Sequence, residues 1–316
     1  MGKTAFVFPG QGSQYVGMGR DLVAKFSYTK KFFDEANQAL GFDLQKICFE
    51  GPEEELKKTE ITQPAIFTIS AICLEAMKSF GNVKAEAAAG HSLGEYSALY
   101  AARSISYKDA VKLVNMRGKF MQTAVPIGEG TMAAILGLDH NIVKEICVKA
   151  SAKGVVEAAN INSPGQIVIS GKVAGVAEAG KLCKEAGAKR VIELQVSAPF
   201  HSSLMKPAAD NLAEELSKVT IKDASIPIVS NVTADYVTNA ATIKELLYKQ
   251  MTSPVLWEGS INKLSNDGFD TFIEIGPGKV LTGLIKKINP KAMIYNVGDA
   301  ATLGGFLGSW HPGKGE

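Results

Sequence analysis

The chain has 316 residues, 46% of them hydrophobic and 21% charged, a composition that excludes a disordered or fibrous chain. That length predicts about two domains. With 34 basic and 32 acidic residues the net charge is +2, so no global basic field marks a nucleic-acid binder. Cys48, Cys73, Cys147 and Cys183 stand too far apart for a CxxC or zinc pattern and fit small buried hydrophobes in a reducing compartment. Pro9-Gly10 interrupts the N-terminal apolar stretch before it can serve as a signal peptide. No apolar run reaches the roughly 18 residues of a membrane span. These features predict a cytoplasmic protein without membrane attachment.

Taken in chain order, residues 4–8 form an apolar strand running into the Pro9-Gly10 loop, and helical spacing covers 20–40 and 63–80. Residues 85–89 form a second apolar strand that stops at Gly90, followed by helices over 95–102 and 107–123. Strand, glycine turn and helix in this rhythm predict an α/β protein with a mostly parallel sheet. The rhythm then changes. A strand over 131–138, a helix over 141–151, strands over 155–160 and 166–170, a helix over 173–186 and a strand over 190–196 give the order β-α-β-β-α-β of a ferredoxin-like unit. The expected organisation is therefore an inserted small domain at 127–197 inside a discontinuous large domain, 1–126 and 198–316. Helix and strand alternate again over 207–219, 226–230, 243–250, 271–275 and 280–287. The Gly-rich tail from Gly298 lacks periodicity and is expected to be loosely held. No internal repeat or low-complexity block is present.

Gly90-His91-Ser92-Leu93-Gly94 fits the G-x-S-x-G pattern, in which glycines permit a strained strand-to-helix turn that lifts a serine hydroxyl clear of the backbone. A helix beginning at Ser92 would aim its N-terminal N–H groups at a developing oxyanion, with the Leu93 N–H as the first donor. Such a serine needs a base. His91 is expected to point away from its neighbour Ser92, His140 heads a helix and faces solvent, and His311 lies in the tail. His201, in the stiff loop Ala198-Pro199-Phe200-His201-Ser202, is left by elimination. No acidic residue between Ser92 and His201 follows a strand end, so a backbone carbonyl is the expected orienting group, which leaves the histidine less basic.

Gly10-Gln11-Gly12-Ser13-Gln14 fails as a dinucleotide fingerprint because Tyr15 takes the third glycine position. As a loop it can offer backbone N–H groups beside a site. Gly276-Pro277-Gly278-Lys279 fails as a phosphate loop and reads as a strand-to-helix turn. Arg117 sits in an apolar helical stretch, where it reads either as a surface arginine with a buried stem or as a functional cation.

In order along the chain, Phe8-Pro9-Gly10-Gln11-Gly12-Ser13-Gln14, Gly90-His91-Ser92-Leu93-Gly94-Glu95, Arg117, Asn160-Ile161-Asn162-Ser163-Pro164-Gly165-Gln166, Ala198-Pro199-Phe200-His201-Ser202, Gln250 and Glu274-Ile275-Gly276-Pro277-Gly278 closely resemble the malonyl-CoA:acyl-carrier-protein transacylases. The resemblance spans about residues 3–300 and implies an α/β-hydrolase-like domain with a ferredoxin-like insertion. It implies Ser92 as the acylated nucleophile and His201 as base, then acid. The Gln250 carbonyl would orient His201, and the Gln11 and Leu93 amides would form the oxyanion hole. Arg117 would clamp the malonyl carboxylate. Planar guanidinium suits that task, and acetyl-CoA would leave it unpaired, a discrimination of about 3–5 kcal/mol. Phe200 would crowd an α-methyl branch. The implied partners are malonyl-CoA as substrate and an acidic acyl carrier protein that brings its own phosphopantetheine. No resident cofactor, metal or nucleic acid is implied, and the expected state is a monomer. Lys189-Arg190 and Lys286-Lys287 are candidate docking pairs. Competing classes are a serine thioesterase or esterase, which would require an acidic triad member, and a non-catalytic binder. An acyltransferase domain of a polyketide synthase would carry flanking domains.

Overall fold

The structure is a computed structural model that describes residues 2–81, 83–196 and 198–310. Strands β1 (Lys3–Phe8) and β2 (Ala87–Gly90) precede four strands of a second sheet: β3 (Gly130–Leu136), β4 (Val156–Ser163), β5 (Gln166–Lys172) and β6 (Arg190–Glu193). The chain then returns to the first sheet with β7 (Ile228–Val229), β8 (Tyr236–Val237), β9 (Phe269–Ile275) and β10 (Met293–Val297). The first sheet is six-stranded in the order β10-β9-β1-β2-β7-β8, parallel except for the β7–β8 pair. The second is four-stranded and antiparallel, ordered β4-β5-β3-β6, as a β-α-β-β-α-β unit requires.

Strand alternation explains the layers. On β1, Phe6 and Phe8 enter one core with the Thr59–Lys78, Gly94–Ala101 and Tyr107–Thr123 helices, while Ala5 and Val7 face the opposite core with the Trp257–Asn266 and Val280–Ile288 helices. A sheet buried on both faces needs apolar residues at nearly every position, which 5–8 and 87–90 provide. The small sheet alternates in the same way. Ala133, Ile135, Ile167 and Ile169 pack with residues of the His140–Ala150 and Val173–Glu185 helices, whereas Met132 and Val168 join the main core. Its edge strand is tied to the large sheet's side of the molecule by a parallel bridge, in which the Val255 N–H donates to Ala159 and the Ile161 N–H to Val255.

The fold class is as expected, with local differences. The helix expected over 20–40 is broken at Phe26, where Arg20–Lys25 ends. A 3₁₀ turn at Ser27–Thr29 follows before the Lys30–Leu40 helix. The Leu44–Glu50 and Trp257–Asn266 helices and strands β8 and β10 lie in stretches that the sequence left unassigned. The loosely held tail is corrected: Ala300–Ser309 is a helix whose Leu303 and Phe306 are buried, and only residues from His311 onward lie outside those described. Among the described residues no helix is long and apolar enough to cross a membrane.

Candidate active site

The site is built at the end of β2. After Gly90 the backbone turns so sharply that Ser92 adopts φ 51°. A Cβ on Gly90 would lie 1.9 Å from the Gly94 carbonyl carbon, and one on Gly94 would lie 2.1 Å from the Phe8 carbonyl oxygen, so no larger residue fits either place. The Asn231 side chain clamps the turn: its Oδ1 accepts the Ser92 N–H at 2.7 Å and its Nδ2 donates to the Gly90 carbonyl at 2.6 Å. The helix starts at Gly94 with Leu93 as its N-cap, close to the expected 95–102 span, and not at Ser92, whose positive φ is incompatible with a helical turn.

His201 follows β6 on a tight turn, itself at φ 59°. The Ser202 hydroxyl donates to the Pro199 carbonyl at 2.7 Å and holds that turn. His201 Nε2 is 2.7 Å from Ser92 Oγ, and Nδ1 is 2.9 Å from the Gln250 carbonyl. A carbonyl only accepts, so Nδ1 carries the proton and Nε2 turns its lone pair to the serine. Burial, then the nearby Arg117 charge, pushes the imidazole down to about 3 against the pull of the Gln250 carbonyl.

Arg117 is 1% exposed, which excludes the surface alternative. Its Nη1 donates to Gln63 Oε1 at 2.8 Å, and its Nη2 donates to Gln250 Oε1 at 2.8 Å and to Ser92 Oγ at 3.1 Å. The guanidinium carbon lies 5.6 Å from the Tyr96 ring centroid. Nε has no hydrogen-bond partner among the described residues. The Gln11 and Leu93 residues line the same cavity, of about 120 Å³, as Ser92, His201 and Arg117. Among the described residues neither of their backbone N–H groups donates to a protein acceptor. Met121, Met132, Leu194, Val196 and Phe200 form its apolar wall.

The acyl transferase domain model matches residues 5–313. A malonyl CoA-acyl carrier protein transacylase of Bacillus subtilis is 53% identical over 304 residues, 96% of either chain. The chain belongs to this transacylase family. A solved acyl carrier protein S-malonyltransferase of Vibrio cholerae is 46% identical with a TM-score of 0.94, covering 96% of this chain and 99% of that one. A malonyl-transacylase solved in complex with a type II PKS acyl-carrier protein is 43% identical with a TM-score of 0.95, covering 98% and 100%.

In this transacylase the structure brings together every candidate residue: Ser92, His201, Gln250, Arg117, Gln11, Leu93 and Phe200. His91 points away from Ser92, with Nε2 on Asn162 Oδ1 at 2.8 Å. His140 is half-buried rather than solvent-facing, in a separate groove beside Lys144 and Pro254. Gly276-Pro277-Gly278 is the strand-to-helix turn expected of it, between β9 and the Val280–Ile288 helix. Sequence reasoning missed Gln63, Glu95 and Asn231. Gln63 and Glu95 carried a signal, a polar residue inside an otherwise small or apolar helical run. Asn231 carried a weaker one, a polar residue just beyond a strand end. Glu95 is 2% exposed, and burial pushes its carboxyl up to about 7 against the Gln250 and Asn231 hydrogen bonds and the Arg117 charge. Among the described residues no cluster of His, Cys, Asp or Glu could hold a metal ion.

Proposed function

We propose that this enzyme moves the malonyl group from malonyl-CoA to the phosphopantetheine thiol of an acyl carrier protein through a malonyl-Ser92 intermediate. The observation that carries the proposal is a guanidinium 3.1 Å from the oxygen of a serine that is itself 2.7 Å from a buried, neutral imidazole. In the first half-reaction the Ser92 hydroxyl proton passes to His201 Nε2 as Oγ attacks the thioester carbonyl. The Gln11 and Leu93 amides receive the oxyanion. Collapse breaks the carbon–sulfur bond, and the His201 imidazolium protonates the departing thiolate of CoA. The carrier thiol then repeats the sequence in reverse. Exchange of one thioester for another is near energetic balance, so the reaction runs both ways with ping-pong kinetics.

Arg117 takes the free carboxylate of the acyl group. Its charge opposes protonation of His201, so a bound carboxylate that neutralises it makes the imidazole a better base. Malonyl substrate thereby favours its own transfer, and acetyl-CoA does not. Phe200 narrows the pocket against an α-methyl branch. The chemistry uses side chains and backbone donors alone, without a resident cofactor. Four free cysteines fit a reducing, cytoplasmic setting, and the proposed working unit is the monomer. The proposed architecture is an inserted unit at 127–197 within a catalytic domain formed by 1–126 and 198–316. The exposed pairs Lys189-Arg190 and Lys286-Lys287 are the proposed docking points for an acidic carrier.

Intact-protein mass spectrometry after brief mixing with malonyl-CoA tests the proposal. The expected result is a malonyl adduct that Ser92→Ala abolishes and that an acyl carrier protein discharges. Release of CoA without an adduct would make the protein a thioesterase, and neither product would make it a binder.

A further inference from the structure

Gln250 does more than present a carbonyl to His201. Its side-chain Oε1 accepts the Arg117 Nη2–H, while its Nε2 donates to Glu95 Oε2 at 2.7 Å and to the Ser92 carbonyl at 3.1 Å. The same Glu95 oxygen accepts the Asn231 backbone N–H at 3.2 Å. Glu95, Gln250, Asn231 and Arg117 are all at most 2% exposed, so water does not substitute for these bonds. No hydrogen bond links Glu95 to His201 or to Ser92 Oγ among the described residues, so it is not the acidic member of a triad.

Bond polarity decides how this chain is wired. A guanidinium only donates, and a carboxylate oxygen bound to two N–H groups only accepts, whereas an amide has one end of each kind. Placed between them, the Gln250 amide has a single orientation that satisfies both. We propose that Glu95 is a positioning residue for malonyl selectivity: by holding the Gln250 NH₂, it keeps the amide oxygen on Arg117 and fixes the guanidinium beside Ser92 Oγ. The inference rests on Arg117 being the carboxylate clamp.

Removing the Glu95 acceptor leaves the Gln250 NH₂ only the longer contacts to the Ser92 carbonyl at 3.1 Å and Asn231 Oδ1 at 3.5 Å, and it frees the Asn231 N–H, which then competes for the Gln250 oxygen. A turned amide sets its NH₂ against the guanidinium, donor facing donor, and Arg117 loses its place. A planar clamp tolerates little misorientation, because its two parallel bonds require the guanidinium and carboxylate to be coplanar. Acetyl transfer uses Ser92, His201 and the backbone donors but no clamp, so it depends far less on this wiring. Glutamine at position 95 still offers an acceptor oxygen where Oε2 stands.

The test compares Ser92 acylation by malonyl-CoA and by acetyl-CoA in the full chain, using rapid-quench intact-mass measurement. Glu95→Ala is expected to lower the malonyl-to-acetyl ratio of acylation rates about tenfold or more, and Glu95→Gln to keep it within about threefold of the parent. Gln250→Met keeps the carbonyl that holds His201 but removes the amide. It is expected to lower the ratio by a similar factor, so the inference stays testable if Glu95→Ala does not fold. An unchanged ratio in Gln250→Met, or equal losses for both acyl groups in Glu95→Ala, would overturn it. A parent enzyme that malonyl-CoA does not acylate would overturn the proposed function instead.

Discussion

His201 is unusual because its environment keeps it neutral far below the range of an ordinary histidine. Burial and the Arg117 charge lower its pKa from 6.5 to about 3. The folded state therefore binds fewer protons here than the unfolded chain does between those values. The stability that this neutral imidazole contributes is fully present above about pH 6.5 and is lost as pH falls toward 3. Nuclear magnetic resonance of the His201 ring should show no titration between pH 8 and pH 5, and a midpoint near 6.5 would contradict the burial argument. Arg117 is the proposed selectivity residue. Arg117→Ala should cut malonyl acylation of Ser92 by about a hundred- to a thousandfold, while acetyl acylation changes by less than about tenfold, read from single-turnover rates. Ser92 and His201 were both legible in the sequence, the first from its flanking glycines and the second by exclusion of the other histidines. Arg117 remained ambiguous there, because an arginine among apolar residues looks the same whether its head is in water or in a pocket.

Elements in this protein are fixed at their ends by side chains from elsewhere. The Val280–Ile288 helix has no capping side chain at its own N-cap, Lys279. Instead the fully buried Glu274, at the end of β9, accepts the Leu281 N–H at 3.0 Å, the Thr282 N–H at 2.8 Å and the Thr282 hydroxyl at 2.6 Å. A carboxylate at a helix N-terminus also meets the positive end of the helix dipole. Glu274→Ala leaves the buried Leu281 N–H and the half-buried Thr282 donors unpaired and should cost about 3 kcal/mol, measured by chemical denaturation. A loss below about 0.5 kcal/mol would show that the cap is dispensable. The final helix shows why some elements escaped detection. Residues 300–309 contain three glycines, and glycine disfavours helix, which masks the i, i+3, i+4 spacing of Leu303, Phe306 and Leu307. Its support is the Asp299–Thr302 capping box, the Asp21 carboxylate on the Ala300 N–H at 2.7 Å, and the burial of Leu303 and Phe306. Of these, the Asp299 and Thr302 pair and the Leu303 and Phe306 spacing are local patterns, whereas the Asp21 contact comes from the far end of the chain. The Tyr107–Thr123 helix and strand β3 were legible because helical spacing in the first and an apolar run in the second are written into consecutive residues.

At the scale of the whole molecule, the cavity exists only because two sheets meet. The large sheet supplies Gln11, Ser92 and Leu93 from its loops, and the small sheet and the loop after it supply Met132, Asn160, Leu194 and Val196. The bridge between Asn160 and Val255 and the Ser203 N–H bond to Glu157 at 2.6 Å join the two sides. In the proposed reaction, an apolar wall over the acyl-serine disfavours water as the second nucleophile, while a thiol carried on a long arm can still enter. Leu194→Ser should therefore raise hydrolysis of the acyl-Ser92 adduct about threefold or more in the absence of a carrier, measured as adduct lifetime by mass spectrometry. An unchanged lifetime would assign water exclusion to another part of the site.

The sequence by itself determined what depends on neighbours along the chain. The order of strand and helix stretches placed the strands in two sheets of different character, and the glycines at positions 90 and 94 dictated a turn that few other residues could adopt. Backbone sterics act over a few residues, so such features survive without tertiary context. The tertiary structure alone decided which polar groups meet. Arg117 and Gln250 are separated by 133 positions, and Gln250 and Glu95 by 155, with no local pattern relating them. Their pairing follows from helices packed into one core, where buried donors and acceptors must find each other because water cannot reach them.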